Sequence, residues 1–311
     1  MRKIILSILL LLPLCLSAQQ LYGHTPDARI AAMGGASVAS SADAFVTFGN
    51  AASALMEYKR VQAAFSYVNF GDNRYRQNRM MSGGGYVRFA QKHALMVGLQ
   101  FNIEPHGENN DRNPGMQRFE LAYGYRLTDR LAIAATARYC RAYGNISEAQ
   151  NYNGGGADIA LFSRLPMNFL EGAAVNIGGK LAVDTPPTTK YGYYGITPSV
   201  GAALSLPFSD AHLLDISAEV KYGFSSSSYN PNVFVAKIGA EYSLMRLFYF
   251  RAGGNIAHLS AIPNAAKNNI PYFTVGAGVR FFHLQFDIAY LVGKKNTPFD
   301  NAVQVNFGVD F

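Results

Sequence analysis

Tryptophan is absent from these 311 residues, and cysteine occurs only at positions 15 and 140. Cys15 lies in an N-terminal apolar run that is expected to be removed, so Cys140 would stand alone in the mature chain. A lone cysteine excludes an intramolecular disulfide framework and any CxxC metal or redox site. Charge is scarce as well, at 15% of residues, against about 25% for an ordinary soluble domain. Beyond residue 18 no apolar run approaches the ~20 residues a membrane-spanning helix needs. Yet the chain carries 21 Phe, 19 Tyr and 30 Gly. Apolar side chains in this number, without a spanning helix, point to the other structure that satisfies its backbone within lipid, a closed β-barrel.

The N-terminus reads as a secretory signal peptide: Arg2 and Lys3, an apolar stretch from Ile4 to Leu16, then Ser17-Ala18-Gln19. Residues 1–18 are therefore assigned to the signal, with cleavage expected after Ala18. A lipoprotein anchor on Cys15 is disfavoured, because Leu14 stands where a small residue is wanted before the lipidated cysteine. The formal charge of +7 falls to about +5 on removal of Arg2 and Lys3. Its cations are scattered, which suits anionic lipid headgroups weakly and nucleic acid hardly at all.

The C-terminal residues show the organising pattern. Val303, Val305, Phe307, Val309 and Phe311 alternate with Gln304, Asn306, Gly308 and Asp310, a period of two with one apolar and one polar face. Leu284, Phe286, Ile288 and Tyr290 repeat it, as do Phe273, Val275, Ala277 and Val279. Counting backwards gives strands near 246–257, 232–243, 212–223, 195–206, 172–184, 154–164, 131–143, 116–127, 93–104, 79–90 and 61–70. The fold class is thus all-β, a transmembrane antiparallel barrel of about 14 strands. Short connections such as Ala90-Gln91-Lys92, Thr128-Asp129-Arg130, Leu244-Met245 and Phe281-Phe282 alternate with long ones rich in Gly, Pro, Asn and Ser. That asymmetry is the habit of short periplasmic turns and longer outer loops. The barrel is assigned to 61–311.

Residues 19–60 do not read as wall. Their density of Ala and Gly suits close backbone packing, which predicts an N-terminal plug folded inside the barrel. The polar strand face supplies a matching lumen, with Arg118, Glu120, Arg126, Arg138, Asp158, Arg164, Lys180, Asp215, Glu219, Lys221, Lys237, Glu241, Arg251, Arg280 and Asp287. A selective pore would favour one sign, whereas a filled lumen pairs opposite charges with each other and with Asp27, Arg29 and Asp43 of the plug. A mainly occluded barrel is expected.

No enzymatic constellation stands out. The six histidines are far apart and show no HxxxH or HExxH spacing. Gly83-Gly84-Gly85 and Gly154-Gly155-Gly156 open strands on this reading and lack the Lys-Ser/Thr of a phosphate loop; such glycines relieve curvature or leave room for a plug. No cofactor, metal site or catalytic residue is nominated, and the protein is read as a non-enzyme. The tyrosines of Tyr191-Gly192-Tyr193-Tyr194 and Tyr229-Asn230-Pro231 suit a membrane-interface girdle or a docking surface.

Asp27-Ala28-Arg29, Met33-Gly34-Gly35-Ala36, Asp43-Ala44 and Asn50-Ala51-Ala52 resemble the N-terminal hatch of the FadL-like superfamily, and within it the PorV/PorQ family of Bacteroidetes. Tyr123 to Arg130 and Ala137-Arg138-Tyr139 extend the resemblance into the barrel. Ala51 departs from the family's usual proline, so no specific gating or cargo role is carried over on that turn. The resemblance implies a component of type IX protein secretion or surface attachment in the bacterial outer membrane, with secretion components or cargo C-terminal domains as partners. The alternative is a FadL-like transporter of hydrophobic small molecules, which predicts a lateral break in the wall. The expected plug motif is Asp27, Arg29, Gly34, Gly35, Asp43 and Asn50. Phe311 is the expected C-terminal signal to the barrel insertion machinery, by resemblance to other outer-membrane barrels.

Overall fold

A computed structural model describes residues 25–70, 79–103, 115–143, 152–167, 171–184, 194–225, 232–260, 269–293 and 301–311. The expected signal peptide, most of each long loop and the tyrosines at 191, 193 and 229 lie outside the described residues.

Fourteen antiparallel strands close into one barrel: β1 (Val61–Asn69), β2 (Arg79–Phe89), β3 (His93–Ile103), β4 (Gly115–Thr128), β5 (Leu131–Tyr143), β6 (Tyr152–Pro166), β7 (Ala174–Asp184), β8 (Tyr194–Ser209), β9 (His212–Ser225), β10 (Asn232–Leu244), β11 (Phe248–Ser260), β12 (Asn269–Phe281), β13 (Leu284–Gly293) and β14 (Ala302–Asp310). Each strand pairs with its sequence neighbours, and β14 returns to β1 through Gln62–Asp310 to Asn69–Val303. Closure leaves no edge strand among the described residues, so the wall's carbonyls and amides can pair around the whole circumference. No helix among the described residues is long and apolar enough to cross a membrane.

The period of two becomes an inside and an outside. On β14, Phe307 is 53% exposed whereas Gln304 is fully buried. The same alternation puts Phe273, Val275, Phe286, Ile288 and Ile159 outside and Thr274, Asp287 and Asp158 inside. An apolar belt on the outside of a barrel is the surface that lipid covers.

Strand joints at one rim are tight. Ala90 and Gln91, like Met245 and Arg246, adopt positive φ between 47° and 60° within three-residue joints that leave Phe89 paired with His93 and Leu244 with Phe248. None of these is Gly or Asn, the usual residues for that conformation. At the same rim, the Arg60 and Val61 amides donate to the Phe311 carbonyl at 2.8 and 3.0 Å, and the Phe311 amide returns a bond to Val61 at 2.9 Å.

Among the described residues the wall is continuous. Bulges interrupt register near Arg126/Thr128 on β4–β5, and near Tyr194/Ile196 and Pro207/Ser209 on β8–β9. The β8–β9 pairing also skips Thr197 and Pro198, where proline has no N–H to give. The Gly83–Gly85 run sits in the middle of β2 rather than opening a strand, and Gly154–Gly156 follows the first residues of β6.

Residues 25–57 run back through the barrel interior. Helix α1 (Ala28–Ala32) packs against β11, β12, β13 and β14. A 3-10 helix (Ala51–Met56) packs against β2, β3, β4, β5 and β6. All residues of both helices are buried. Alanine at their contact faces permits this, since each helix must fit between wall residues rather than beside them.

Candidate functional site in the barrel lumen

The lumen and its N-terminal segment form the site, and they meet through capped helix ends, close glycine contacts and ion pairs. Asp27 caps α1, accepting from the Arg29 amide at 2.9 Å and the Ile30 amide at 3.2 Å. It also accepts from Asn306 Nδ2 at 2.5 Å, while Asn306 Oδ1 accepts from the Ala28 amide at 3.0 Å. One wall side chain thus grips both cap and first turn. Burial, with Asp43 beside it, pushes the Asp27 carboxyl well above the usual carboxylate range. Asn50 does the same work for the 3-10 helix: Oδ1 accepts from the Ala52 amide at 3.1 Å, and Nδ2 donates at 2.8 Å to the carbonyls of both Val38 and Leu161. Ala51, in the place of a proline, is simply the first residue of this capped turn.

Gly34 and Gly35 have φ of +67° and +84°, a backbone region that L side chains rarely enter. A Cβ at Gly34 would stand 2.5 Å from the Gly254 carbonyl and 2.6 Å from that of Ile238. The wall answers with its own glycines. A Cβ at Gly84 would strike the Ala44 carbonyl, one at Gly178 the Val38 carbonyl, and one at Gly239 or Gly253 the Met33 backbone. Of the triple-glycine runs, Gly84 therefore makes room for the segment, and Gly156 makes room for Asp184. Thr274 adds a bridge, its hydroxyl accepting from the Gly34 amide at 3.0 Å and donating to Ala32 at 2.8 Å.

The charges fall into two networks. In the first, Arg29 lays Nε and Nη2 on the two oxygens of Glu241, both at 2.9 Å. Glu241 also takes Arg251 Nε at 2.5 Å, and Arg251 reaches Asp287 at 2.7 Å. Asp43 lies 3.6 Å from Arg29. Burial works against the Arg29 charge, but Glu241 and Asp43 more than offset it and hold its pKa well above the usual value. In the second network, Arg118 and Arg138 share Glu120, while Arg138 and Lys180 share Asp158. Asp184 joins Arg138 from β7. A further carboxylate, Glu219, accepts from the Ser37 amide at 2.7 Å, the Val38 amide at 3.0 Å and Lys237 Nζ at 2.7 Å.

The structure thus brings Asp27, Arg29, Asp43 and Gly34 onto one side of the lumen, with Gly35 bonded through its carbonyl to Lys237 and Asn50 on the other side. Alternation alone places Glu219, Glu241, Thr274 and Asn306 on strands without revealing that they hold the segment. Phe311 stands apart at the rim, 61% exposed and stacked on His283 at 4.9 Å. His93 and His212 bond the hydroxyls of Tyr123 and Tyr242, and His283 bonds the Asp310 carbonyl. No group of three metal-ligating side chains occurs among the described residues.

Two further surfaces matter. Apolar lumen lining covers α1 at one level, from Val68, Phe70, Met80, Tyr272, Ala289 and Leu291. A second covers the 3-10 helix nearer the short-turn rim, from Tyr86, Met96, Ala122, Ala134, Ala160 and Phe162. On the long-loop side of the segment, strands β4, β5 and β7 to β10 line a cavity of about 90 Å³ rich in charged side chains.

Comparison with solved structures shows the fold of FadL-type outer-membrane channels. The CymD monoaromatic hydrocarbon channel superposes with a TM-score of 0.61 at 14% identity, covering 94% of this chain and 98% of its own. The toluene transporter TodX of Pseudomonas putida gives 0.55 at 14% identity, with 94% and 99% covered. A FadL homologue of Pseudomonas aeruginosa gives 0.54 at 11% identity, with 92% and 98% covered. No family model and no curated protein matches the sequence.

Proposed function

We propose that the chain is an outer-membrane channel for small hydrophobic molecules, held shut by its N-terminal segment. The supporting observation is the pair of apolar lumen linings at successive levels, each covered by a helix of that segment. When uncovered, Phe70, Met80, Leu291, Met96 and Phe162 on the inner wall suit an apolar solute better than an ion. The lateral break expected of such a transporter is not found among the described residues, where the wall is closed. The proposed route therefore runs along the lumen: displacement of α1 and the 3-10 helix uncovers those surfaces in turn, a path along which an apolar solute is never fully returned to water. The likeness to hydrocarbon channels supports this reading at the level of fold. Residues 19–60 act as its plug, residues 1–18 as its export signal, and the chain is not an enzyme.

The test is uptake by cells producing the full chain against cells without it. Entry of a labelled small aromatic hydrocarbon is expected to rise while that of a disaccharide does not; no rise in hydrocarbon uptake would sink the proposal. A role in type IX secretion or surface attachment is the second reading, favoured by the continuous wall and the ion-paired segment, which suit a scaffold as well as a closed gate. It predicts recovery of secretion components or cargo C-terminal domains when the barrel is pulled from its native membrane.

A further inference from the structure

Lys221 of β9 is a cation with no carboxylate partner among the described residues. It lines the cavity on the long-loop side of the segment together with four other cations, Arg118, Arg138, Lys180 and Lys237. The carboxylates that face this group are Glu120, Asp158, Asp184 and Glu219, and each is held by a cation other than Lys221. Lys221 itself makes no hydrogen bond and no ion pair among the described residues, and its ladder neighbours are Ser199 and Val235. It is half-buried. An ammonium drawn out of bulk water without a partner is costly, and a mobile anion is the direct means of neutralising it. The cavity also presents the side chains of Thr197 and Ser199, whose hydroxyls can each donate a hydrogen bond. At about 90 Å³ it has room for a small oxyanion.

We propose that this cavity is an oxyanion site centred on Lys221, flanked by Lys180, Lys237 and the Thr197 and Ser199 hydroxyls, and filled from the long-loop side of the barrel. The ligand is a phosphate or carboxylate group, either a free ion or the acid group of a small solute. The site stands independently of the transport reading.

Binding is read by calorimetry on the purified full chain in detergent at low ionic strength, titrating inorganic phosphate and, separately, acetate. Lys221→Met should weaken binding by about tenfold or more, the value of one charge-assisted hydrogen bond. Lys92→Met, in the tight turn before β3, should leave it unchanged. Asp184→Asn should tighten it by removing a competing negative charge. Phosphate should also raise the unfolding temperature of the wild type and not of the Lys221→Met variant. Stronger binding of phosphate assigns the site to phosphate groups, and stronger binding of acetate to carboxylates. Binding of neither, or equal binding by Lys221→Met, overturns the proposal. Should Lys221→Met fail to fold, Asp184→Asn decides: tighter binding supports the site, and unchanged or weaker binding refutes it. These readings need no membrane, so their failure is distinct from failure of the uptake assay.

Discussion

Replacing Glu241 by Gln should release the N-terminal segment while leaving the barrel intact. Glu241 is 3% exposed and accepts from Arg29 twice, at 2.9 Å, and from Arg251 once, at 2.5 Å. Stripping the charge from such a buried partner costs about 3–5 kcal/mol, because the cations remain buried. The loss is unevenly shared. Arg251 keeps Asp287 at 2.7 Å, whereas Arg29 keeps only Asp43 at 3.6 Å and the Ser41 carbonyl at 3.0 Å. The wall therefore stays balanced and the segment does not. At about 1.4 kcal/mol per tenfold, its displaced population should rise on the order of 10²–10³-fold. The assay places a cysteine at Ser53, which is 2% exposed, in a chain whose Cys140 is changed to Ser, and follows labelling by a small thiol reagent. Glu241→Gln should label rapidly and raise single-barrel conductance in planar bilayers. The pair Arg29→Met with Glu241→Leu, which removes both charges together, should restore most of the protection. If Glu241→Gln stays protected and silent, the ion pair does not hold the segment in place.

Other perturbations probe the same seating. Gly34→Ala combines positive φ with contacts of 2.5 and 2.6 Å to wall carbonyls, and should cost about 2 kcal/mol or more of segment seating, read as the same labelling at position 53. Asp27→Ala removes the α1 cap and the Asn306 bond, and should cost about 1–2 kcal/mol, seen as a smaller rise in labelling than Gly34→Ala produces. Ile159 is 65% exposed at the middle of β6; Ile159→Lys should destabilise folding into bilayers by about 2–4 kcal/mol, and an unchanged urea midpoint in lipid vesicles would contradict a lipid-facing β6. Deleting Phe311 removes the mutual backbone bonds with Arg60 and Val61 that finish the β1–β14 seam, and should abolish the heat-modifiable folded band on a gel.

The barrel was readable because lipid imposes a rule at every second residue. Val303, Phe307, Phe286 and Ile159 are apolar for a reason that needs no partner, so strand number and facing follow from alternation. Wall ion pairs are the next layer. Once Met245-Arg246-Leu247 is recognised as a three-residue joint, Glu241 falls opposite Arg251. The joint at Asp129-Arg130 alone sets Glu120 opposite Tyr139, and the bulge between Arg126 and Thr128 shifts it by one onto Arg138. The Met245-Arg246 joint carries positive φ without Gly or Asn, so only a break in alternation betrays it. Arg29 on Glu241 was beyond reach. The two are 212 positions apart, and nothing local to either records which strand an interior segment will touch.

That distinction bears on what the resemblance at residues 27–52 can decide. Asp27 and Asn50 cap helices, Gly34 clears the wall backbone, and Arg29 closes an ion pair, so these motif residues are occupied in holding the segment. A motif spent on seating an interior segment will recur wherever this barrel carries one, whether the barrel passes solutes or holds proteins. It therefore indicates the architecture and is silent on cargo. The groups able to discriminate are elsewhere: the apolar linings, which pack the two helices until these are displaced, and Lys221 in the cavity beyond them. If the linings carry solute, polar substitutions there, such as Phe162→Asn or Leu291→Asn, should lower hydrocarbon uptake beyond any loss of folded barrel. In a secretion scaffold the same substitutions should leave partner recovery, normalised to folded barrel, unchanged.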